Sequence, residues 1–257
     1  MIEQLWLVPL GFVAGVAGSI IGLGGGFIVV PVLIFLGFPP ALATSNSLFG
    51  VLSNAVSSTI SYHRQGRVDT SLGIKLGLLS VPGTVVGAVV SSDVTSDAFK
   101  ILFGVVLVAS VAYIFLRGNL GIKGQNNSRG MIAFVAAASF FAGIVSSLFG
   151  VGGGIIFVPL MIAGMGLAMK RAAPTSQMIL LFASFSGVAV HSLLGHPDFL
   201  QAGMLAVGSF FGGLVGARIM PVIRERLLQI AASSVILIVA AKMFLDSAYG
   251  GLFLVEL

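Results

Sequence analysis

Ile21-Gly22-Leu23-Gly24-Gly25-Gly26-Phe27-Ile28-Val29-Val30-Pro31 returns 128 residues later as Phe149-Gly150-Val151-Gly152-Gly153-Gly154-Ile155-Ile156-Phe157-Val158-Pro159. Three further matches follow in the same order. Thr44-Ser45-Asn46 pairs with Thr175-Ser176-Gln177 at an offset of 131. Gly66 and Asp69 pair with Gly195 and Asp198, and Gly87-Ala88 with Gly216-Ala217, both at 129. Chance resemblance between apolar, glycine-rich stretches produces one such match, not an ordered set, so the chain reads as an internal duplication. Its halves are 1–124 and 125–257.

The composition says what solvent this duplication faces. Of 257 residues, 57% are hydrophobic and 8% charged, against roughly 45–50% and about 25% in soluble domains. Gln4 to Tyr62 and Met131 to Met169 carry no formal charge. These runs are long and unalternating, as spanning helices require and barrel strands do not. Thirty-five glycines suit helices that approach closely in lipid. The expectation is an all-α polytopic membrane protein. No secretory signal is read at the N-terminus, because Met1-Ile2-Glu3-Gln4 lacks a basic leader. There is no cysteine, the three histidines form no HExxH, and the glycine runs contain no GxxxxGK[ST]. No metal site, cofactor, nucleophile–base pair or P-loop is therefore expected, and the chain is not read as an enzyme. The excess of basic residues sits in short connections, which argues against nucleic acid.

Turn chemistry divides each half into five apolar segments, about 5–21, 22–37, 40–62, 70–91 and 97–116, then 131–149, 150–168, 172–193, 199–217 and 227–245. The linker is Arg117 to Gly130. If all ten segments alternate, Arg64, Arg67, Arg117, Lys123, Arg129, Lys170, Arg171, Arg218, Arg224 and Arg226 share one side, while Lys100 and Lys242 face the other. That is a positive-inside bias. Fusing each glycine-split pair into one helix splits the ten evenly and abolishes it. An odd count per half inverts the second repeat and puts both termini outside the cytoplasm. The two segments meeting at each glycine run either cross fully or form a re-entrant hairpin; charge fits both.

Gly24, Gly25 and Gly26, with Gly152, Gly153 and Gly154, are the first site candidates. Each glycine costs about 1 kcal/mol against alanine inside a helix, so a repeated triplet implies a helix break near the midplane. Its following N-terminus would offer free amides to a small anion, beside close packing. A leucine at Gly25 or Gly153 is expected to abolish transport, and one at Gly208, outside the motif, to act more mildly. No Lys or Arg is central, with Lys75, Lys100 and Lys242 all within snorkelling reach of a surface. An anion would therefore be held by dipoles. Asn46, Ser53 and Ser57 share one helical face, as do Gln177, Ser184 and His191. The serines are read as interhelical hydrogen-bond partners, Asn46 and Gln177 as site residues, and His191 as a candidate for proton coupling.

The paired IGLGGGFIVVP and FGVGGGIIFVP, each followed by a helix containing Thr-Ser, resemble the TauE/SafE family of membrane permeases over nearly the whole chain. The matching positions are Gly24–Gly26, Pro31, Thr44 and Ser45, then Gly152–Gly154, Pro159, Thr175 and Ser176. The resemblance implies a secondary transporter of small sulfur-containing anions, such as sulfite or organosulfonates, commonly outward, across a prokaryotic inner membrane. Its expected partners are the anion and the lipid bilayer. A passive anion channel and a non-transporting scaffold subunit are the rivals.

Overall fold

A computed structural model describes residues 4–118 and 129–253. Glu3, Lys123, Glu256 and most of the expected linker lie outside the described residues. Within them the chain is helical: α1 (Leu7–Ile21), α2 (Gly26–Phe35), α3 (Pro40–Arg64), α4 (Thr70–Val90), α5 (Ser96–Gly118), α6 (Arg129–Phe149), α7 (Gly154–Pro159), α8 (Met169–Leu193), α9 (Phe199–Ile219) and α10 (Glu225–Phe253). A π-helical turn, Leu160–Gly164, extends α7, and a 3₁₀ turn, Met220–Val222, follows α9. The order of long, short and long helices in α1–α5 is repeated in α6–α10.

Sequence chemistry explains the boundaries. Asp69 and Asp198 cap α4 and α9, their carboxylates accepting from Leu72 N, and from Leu200 N and Gln201 N, as N-cap aspartates do. Pro40 occupies the first turn of α3, where no amide hydrogen is needed. Three helical stretches, Thr70–Val90, Met169–Leu193 and Phe199–Val222, are long and apolar enough to cross a membrane. The outer surface carries bare apolar side chains, with Phe185, Phe199 and Ile238 about two-thirds exposed, a surface suited to acyl chains.

Contacts fix the helix directions. Along α3 and α9, Asn46 meets Gln201, Ser53 meets Ala206, and Asn54 and Ser57 meet Gly213, so the pair is parallel. Along α4 and α8, Gly73 meets Met178, Gly77 meets Phe182, and Thr84 meets Ser186; this pair is parallel too. α3 and α8 are antiparallel, since Ser58 bonds Gln177 while Leu48 packs at Gly187. The third helix of one half thus opposes the third helix of the other. α1 also runs parallel to α9, with Gly11 against Leu205 and Gly216 against Val16, so α1 and α3 share a direction and α2 doubles back between them.

α1 and α2 therefore form a hairpin, and α6 and α7 another. The first reaches the N-terminal part of α8, where Gly22 lies against Ala173; the second reaches the N-terminal part of α3, where Gly150 lies against Thr44. α5 and α10 pack on each other. Phe99 and Phe103 of α5 meet Phe149 at the second tip, with ring centroids 5.1 and 5.2 Å apart.

Candidate functional site

The two glycine breaks meet at mid-length of α3 and α8. A side chain on Gly24 would strike Leu180 Cδ2 at 2.5 Å and Val51 Cγ1 at 2.8 Å; one on Gly152 would strike the same two residues. The loops also touch each other. A Cβ on Gly26 would collide with Gly150 O and one on Gly154 with Gly22 O. Each triplet thus divides into two requirements. Gly24 and Gly25 (φ 77° and 89°), and Gly152 and Gly153 (φ 77° and 79°), occupy left-handed backbone that L side chains rarely adopt. Gly26 and Gly154 are glycine because the opposite loop's carbonyl leaves no room.

α2 leaves this centre toward the N-terminal end of α3, and α7 leaves it toward the start of α6, so two helix N-termini converge there. The first-turn amides of Gly26 and Phe27, and of Gly154 and Ile155, donate to no acceptor among the described residues. Each N-terminus carries the equivalent of about half a positive charge. Converging buried donors, with no side-chain cation among them, form an anion-attracting element. Ser146 Oγ, buried at the end of α6 near Gly153, likewise has no hydrogen-bond partner.

The site candidates of α3 and α8 are fully buried, and several are bonded to the hairpins. Thr44 donates to Leu148 O at 3.2 Å, Ser47 to Gly150 O at 2.8 Å, Ser176 to Gly22 O at 2.7 Å, and Gln177 Nε2 to Gly18 O at 2.9 Å. Leu148, Gly150 and Gly22 are at helix C-termini, whose carbonyls lack intrahelical partners, whereas Gly18 O already closes the end of α1 by accepting from the amides of Gly22 and Leu23. Asn46 bridges to the opposite half, its amide donating to Gln201 Oε1 and its oxygen accepting from Asp198 N at 3.0 Å. Thr175 accepts from Asp69 N at 3.0 Å. Ser45, Ser57 and Ser184 bond carbonyls of their own helices, and Ser53 bonds Ala206 O.

These contacts correct the register of the Thr-Ser match. Asn46 and Thr175 do the same job, accepting from the cap amides of Asp198 and Asp69, and Ser47 and Ser176 both hold hairpin-tip carbonyls. Both pairs stand at an offset of 129, like the matches that follow them, and not at 131. Pattern matching aligned identical letters; the contacts align equivalent roles. Asn46 and Gln177 are consequently not counterparts.

The same offset exposes a residue that motif reading missed. Tyr62 is the counterpart of His191. Tyr62 OH donates to Ser19 O at 2.9 Å and His191 Nε2 lies 3.1 Å from Ser147 O, each tying a hairpin to the C-terminal part of its own half's third helix. Because a carbonyl only accepts, His191 Nε2 carries a hydrogen and its Nδ1 is free to accept. Nδ1 of His196 lies 2.8 Å from it and Nε2 of His196 lies 3.2 Å from Ser92 Oγ. In the neutral pair His196 is thus the Nδ1–H tautomer, by hydrogen-bond logic. Gly208 also needs correcting. A Cβ there would collide with Val8 O on α1, so it is a helix-contact glycine and no tolerant control.

A family model described as "Sulfite exporter TauE/SafE" matches residues 7–243. The chain is 31% identical over 267 residues to a probable membrane transporter protein of Bacillus subtilis, YunE, covering 95% of this chain and 98% of that protein. It is 27% identical over 263 residues to another from Methanocaldococcus jannaschii, covering 95% and 97%. Against Escherichia coli YfcA, also a probable membrane transporter protein, it is 24% identical over 250 residues, covering 96% and 93%. No solved structure matches the chain.

Proposed function

We propose, from the premise that this multi-pass membrane protein belongs to the TauE/SafE family of transporters, that it exports small sulfur-containing anions such as sulfite or organosulfonates. The cell membrane in question is a prokaryotic inner membrane. The observation that carries the anionic substrate is the convergence of two helix N-termini, with unbonded amides, at facing glycine breaks. Backbone donors suit a transporter, because a buried lysine or arginine would itself cost several kcal/mol whenever the site emptied.

In this reading the two halves are inverted repeats that rock about the shared centre to alternate access. Gly24–Gly26 and Gly152–Gly154 form the floor and ceiling of the site. In the closed arrangement Thr44, Ser176 and Gln177 hold hairpin carbonyls, while Asn46 and Thr175 hold the cap amides of the opposite half; Ser45 completes the polar turn. When the hairpins part, the freed hydroxyl and amide donors turn to the anion. His191 is the proposed coupling group, its imidazole joined to the second hairpin at Ser147.

Purified protein in liposomes tests this. Saturable uptake of labelled sulfite, with counterflow driven by unlabelled sulfite or sulfoacetate and absent for carboxylates, is the expected result. Flux linear in concentration without counterflow identifies a channel, and no flux identifies a scaffold. Calorimetry should show Asn46→Ala and Gln177→Ala weakening binding by roughly 1–3 kcal/mol, the scale of hydrogen bonds to charged groups, and Lys75→Gln and Lys242→Gln changing it little. Loss of binding in a lysine variant alone overturns the dipole mechanism.

A further inference from the structure

The tip of the first hairpin carries a polar cluster with no equivalent at the second. Asn54 Nδ2 donates to Gly15 O at 2.8 Å and Gln177 Nε2 to Gly18 O at 2.9 Å. Carbonyls only accept, so both amide orientations are fixed and both amide oxygens point the other way. Each has the same neighbour there. Ser58 Oγ lies 3.3 Å from Asn54 Oδ1, 3.1 Å from Gln177 Oε1 and 2.6 Å from Asn54 O. One hydroxyl hydrogen thus faces three acceptors, and its shortest contact is the backbone carbonyl. Asn54, Ser58 and Gln177 are fully buried, so at least one amide oxygen is left without a hydrogen from any described residue, in a place closed to bulk solvent.

We propose that Ser58 Oγ, Asn54 Oδ1 and Gln177 Oε1 are ligands of a monovalent cation the size of sodium, the Ser58 hydrogen pointing to Asn54 O. The proposal draws its purpose from the transporter reading, but neither the site nor its test depends on which anion is carried. An ion with Ser58 Oγ and either amide oxygen as adjacent octahedral vertices, 3.1–3.3 Å apart, sits about 2.2–2.3 Å from each, at the lower edge of the calcium range. All three ligands are neutral, and a buried divalent ion is bound with carboxylates, so a single charge fits. Sodium, with nearly calcium's radius and half its charge, meets both conditions; potassium is too large. The C-terminus of α1 ends at this spot and contributes negative dipole, while the N-terminus of α2, across the glycine break, contributes positive. One break therefore offers a cation and an anion adjacent places, the arrangement that links their binding. Gly213 lies against Asn54 Oδ1, 3.1 Å from where its Cβ would stand, so no side chain from α9 competes for the space.

At the second break the counterparts of Asn54, Ser58 and Gln177, 129 residues away, are Ala183, Gly187 and Leu48. Leu48 Cδ1 lies 3.1 Å from where a Cβ on Gly187 would stand, so apolar packing fills the mirror position. The cation site therefore belongs to the first break and has no mirror at the second.

The test is thermal unfolding of the full-length protein in detergent, with no sulfur anion present, in equal concentrations of sodium, potassium or choline chloride. Sodium should raise the midpoint by roughly 3–6 °C when tenfold above its dissociation constant, potassium less, and choline not at all. Ser58→Ala should halve the sodium increment or remove it, and Gln177→Met should remove it. Gln177→Lys, which tethers an ammonium among the same oxygens, should fold and lose all response to sodium. Equal midpoints in the three salts overturn the proposal, as does a full sodium increment in Ser58→Ala and Gln177→Lys together. A sodium response in a protein that carries no sulfur anion would leave this site standing and remove the substrate assignment alone.

Discussion

Single residues in this protein are chosen for what they let the backbone do. The third glycine of each triplet is dictated by the opposite loop and the first two by their own φ, two constraints that sequence inspection registers as one motif. His196 shows the opposite kind of constraint, a side chain whose charge the fold opposes. It is half-buried in the connection between α8 and α9, and burial holds its imidazole below the ordinary value. The unfolded chain therefore binds a proton on this residue at a pH where the folded protein does not, and stability rises with pH across that window. The contribution is complete above about pH 6.5, the free imidazole value, and is lost as pH falls through the depressed folded value. Doubly protonating the pair also sets two Nδ1–H groups against each other across 2.8 Å. Unfolding midpoints between pH 8 and 5 should decline more steeply in the native protein than in His196→Gln. Equal slopes would show that the ring titrates without strain.

At the scale of elements, the crossings depend on backbone contact more than on side-chain volume. α9 lies along α1 through Gly208 and Gly212, and α4 along α6 through Gly83, Gly87 and Gly143, each glycine facing a carbonyl of its neighbour. Within lipid there is no hydrophobic drive between helices, so closeness of approach supplies the association. A leucine at Gly208 or Gly143 should therefore disrupt folding as severely as one at Gly25 or Gly153. Gly203, with nothing within 4 Å of a Cβ, should accept leucine with near-native yield and flux. Monodisperse yield separates the cases: Gly208→Leu expressing and unfolding like Gly203→Leu would remove the contact argument. The ten helices were legible in the sequence because lipid-facing apolar runs and Gly, Pro and Asp punctuation mark them locally; most ends agree within a few residues, but α7 stops at Pro159 and not near 168, and α10 runs on to Phe253 and not 245. The Thr-Ser register was not, because identity of letters is local while the role of Asn46 is defined by Asp198, far along the chain. Asn54 and Tyr62 escaped for the same reason: each acts on a carbonyl of α1, and nothing nearby in sequence marks that carbonyl as needing a partner; Ser58 escaped because its distant partner, Gln177, lies in the other half.

For the whole molecule the remaining quantity is its orientation. The structure makes α1 parallel to α3, both parallel to α9, and α3 antiparallel to α8, with the α1–α2 and α6–α7 hairpins entering from opposite ends. Two ends of the bundle follow from this. One gathers the connection around Gln65, whose side chain donates to Ala217 O, and Lys170, which donates to Pro221 O; the other gathers Ser92 and His196, which bond each other. The first end collects Arg64, Arg67, Lys170, Arg171, Arg218, Arg224 and Arg226 against Asp69 and Glu225, and the second Asp93, Asp97 and Asp198 against Lys100. Lysine and arginine in short connections are retained on the cytoplasmic side during insertion, so the basic end should face the cytoplasm and the acidic end the exterior. The absence of native cysteine makes the measurement direct. Single cysteines replacing Ser92 and Ser128 should react with a membrane-impermeant maleimide from opposite sides, Ser92→Cys in intact cells and Ser128→Cys only after permeabilisation. Reaction of both from one side would contradict inversion of the halves. Reaction of each from the side opposite to that expected would keep the inversion and reverse the protein, turning the sodium-binding hairpin tip from the cytoplasmic half of the bundle to the exterior half.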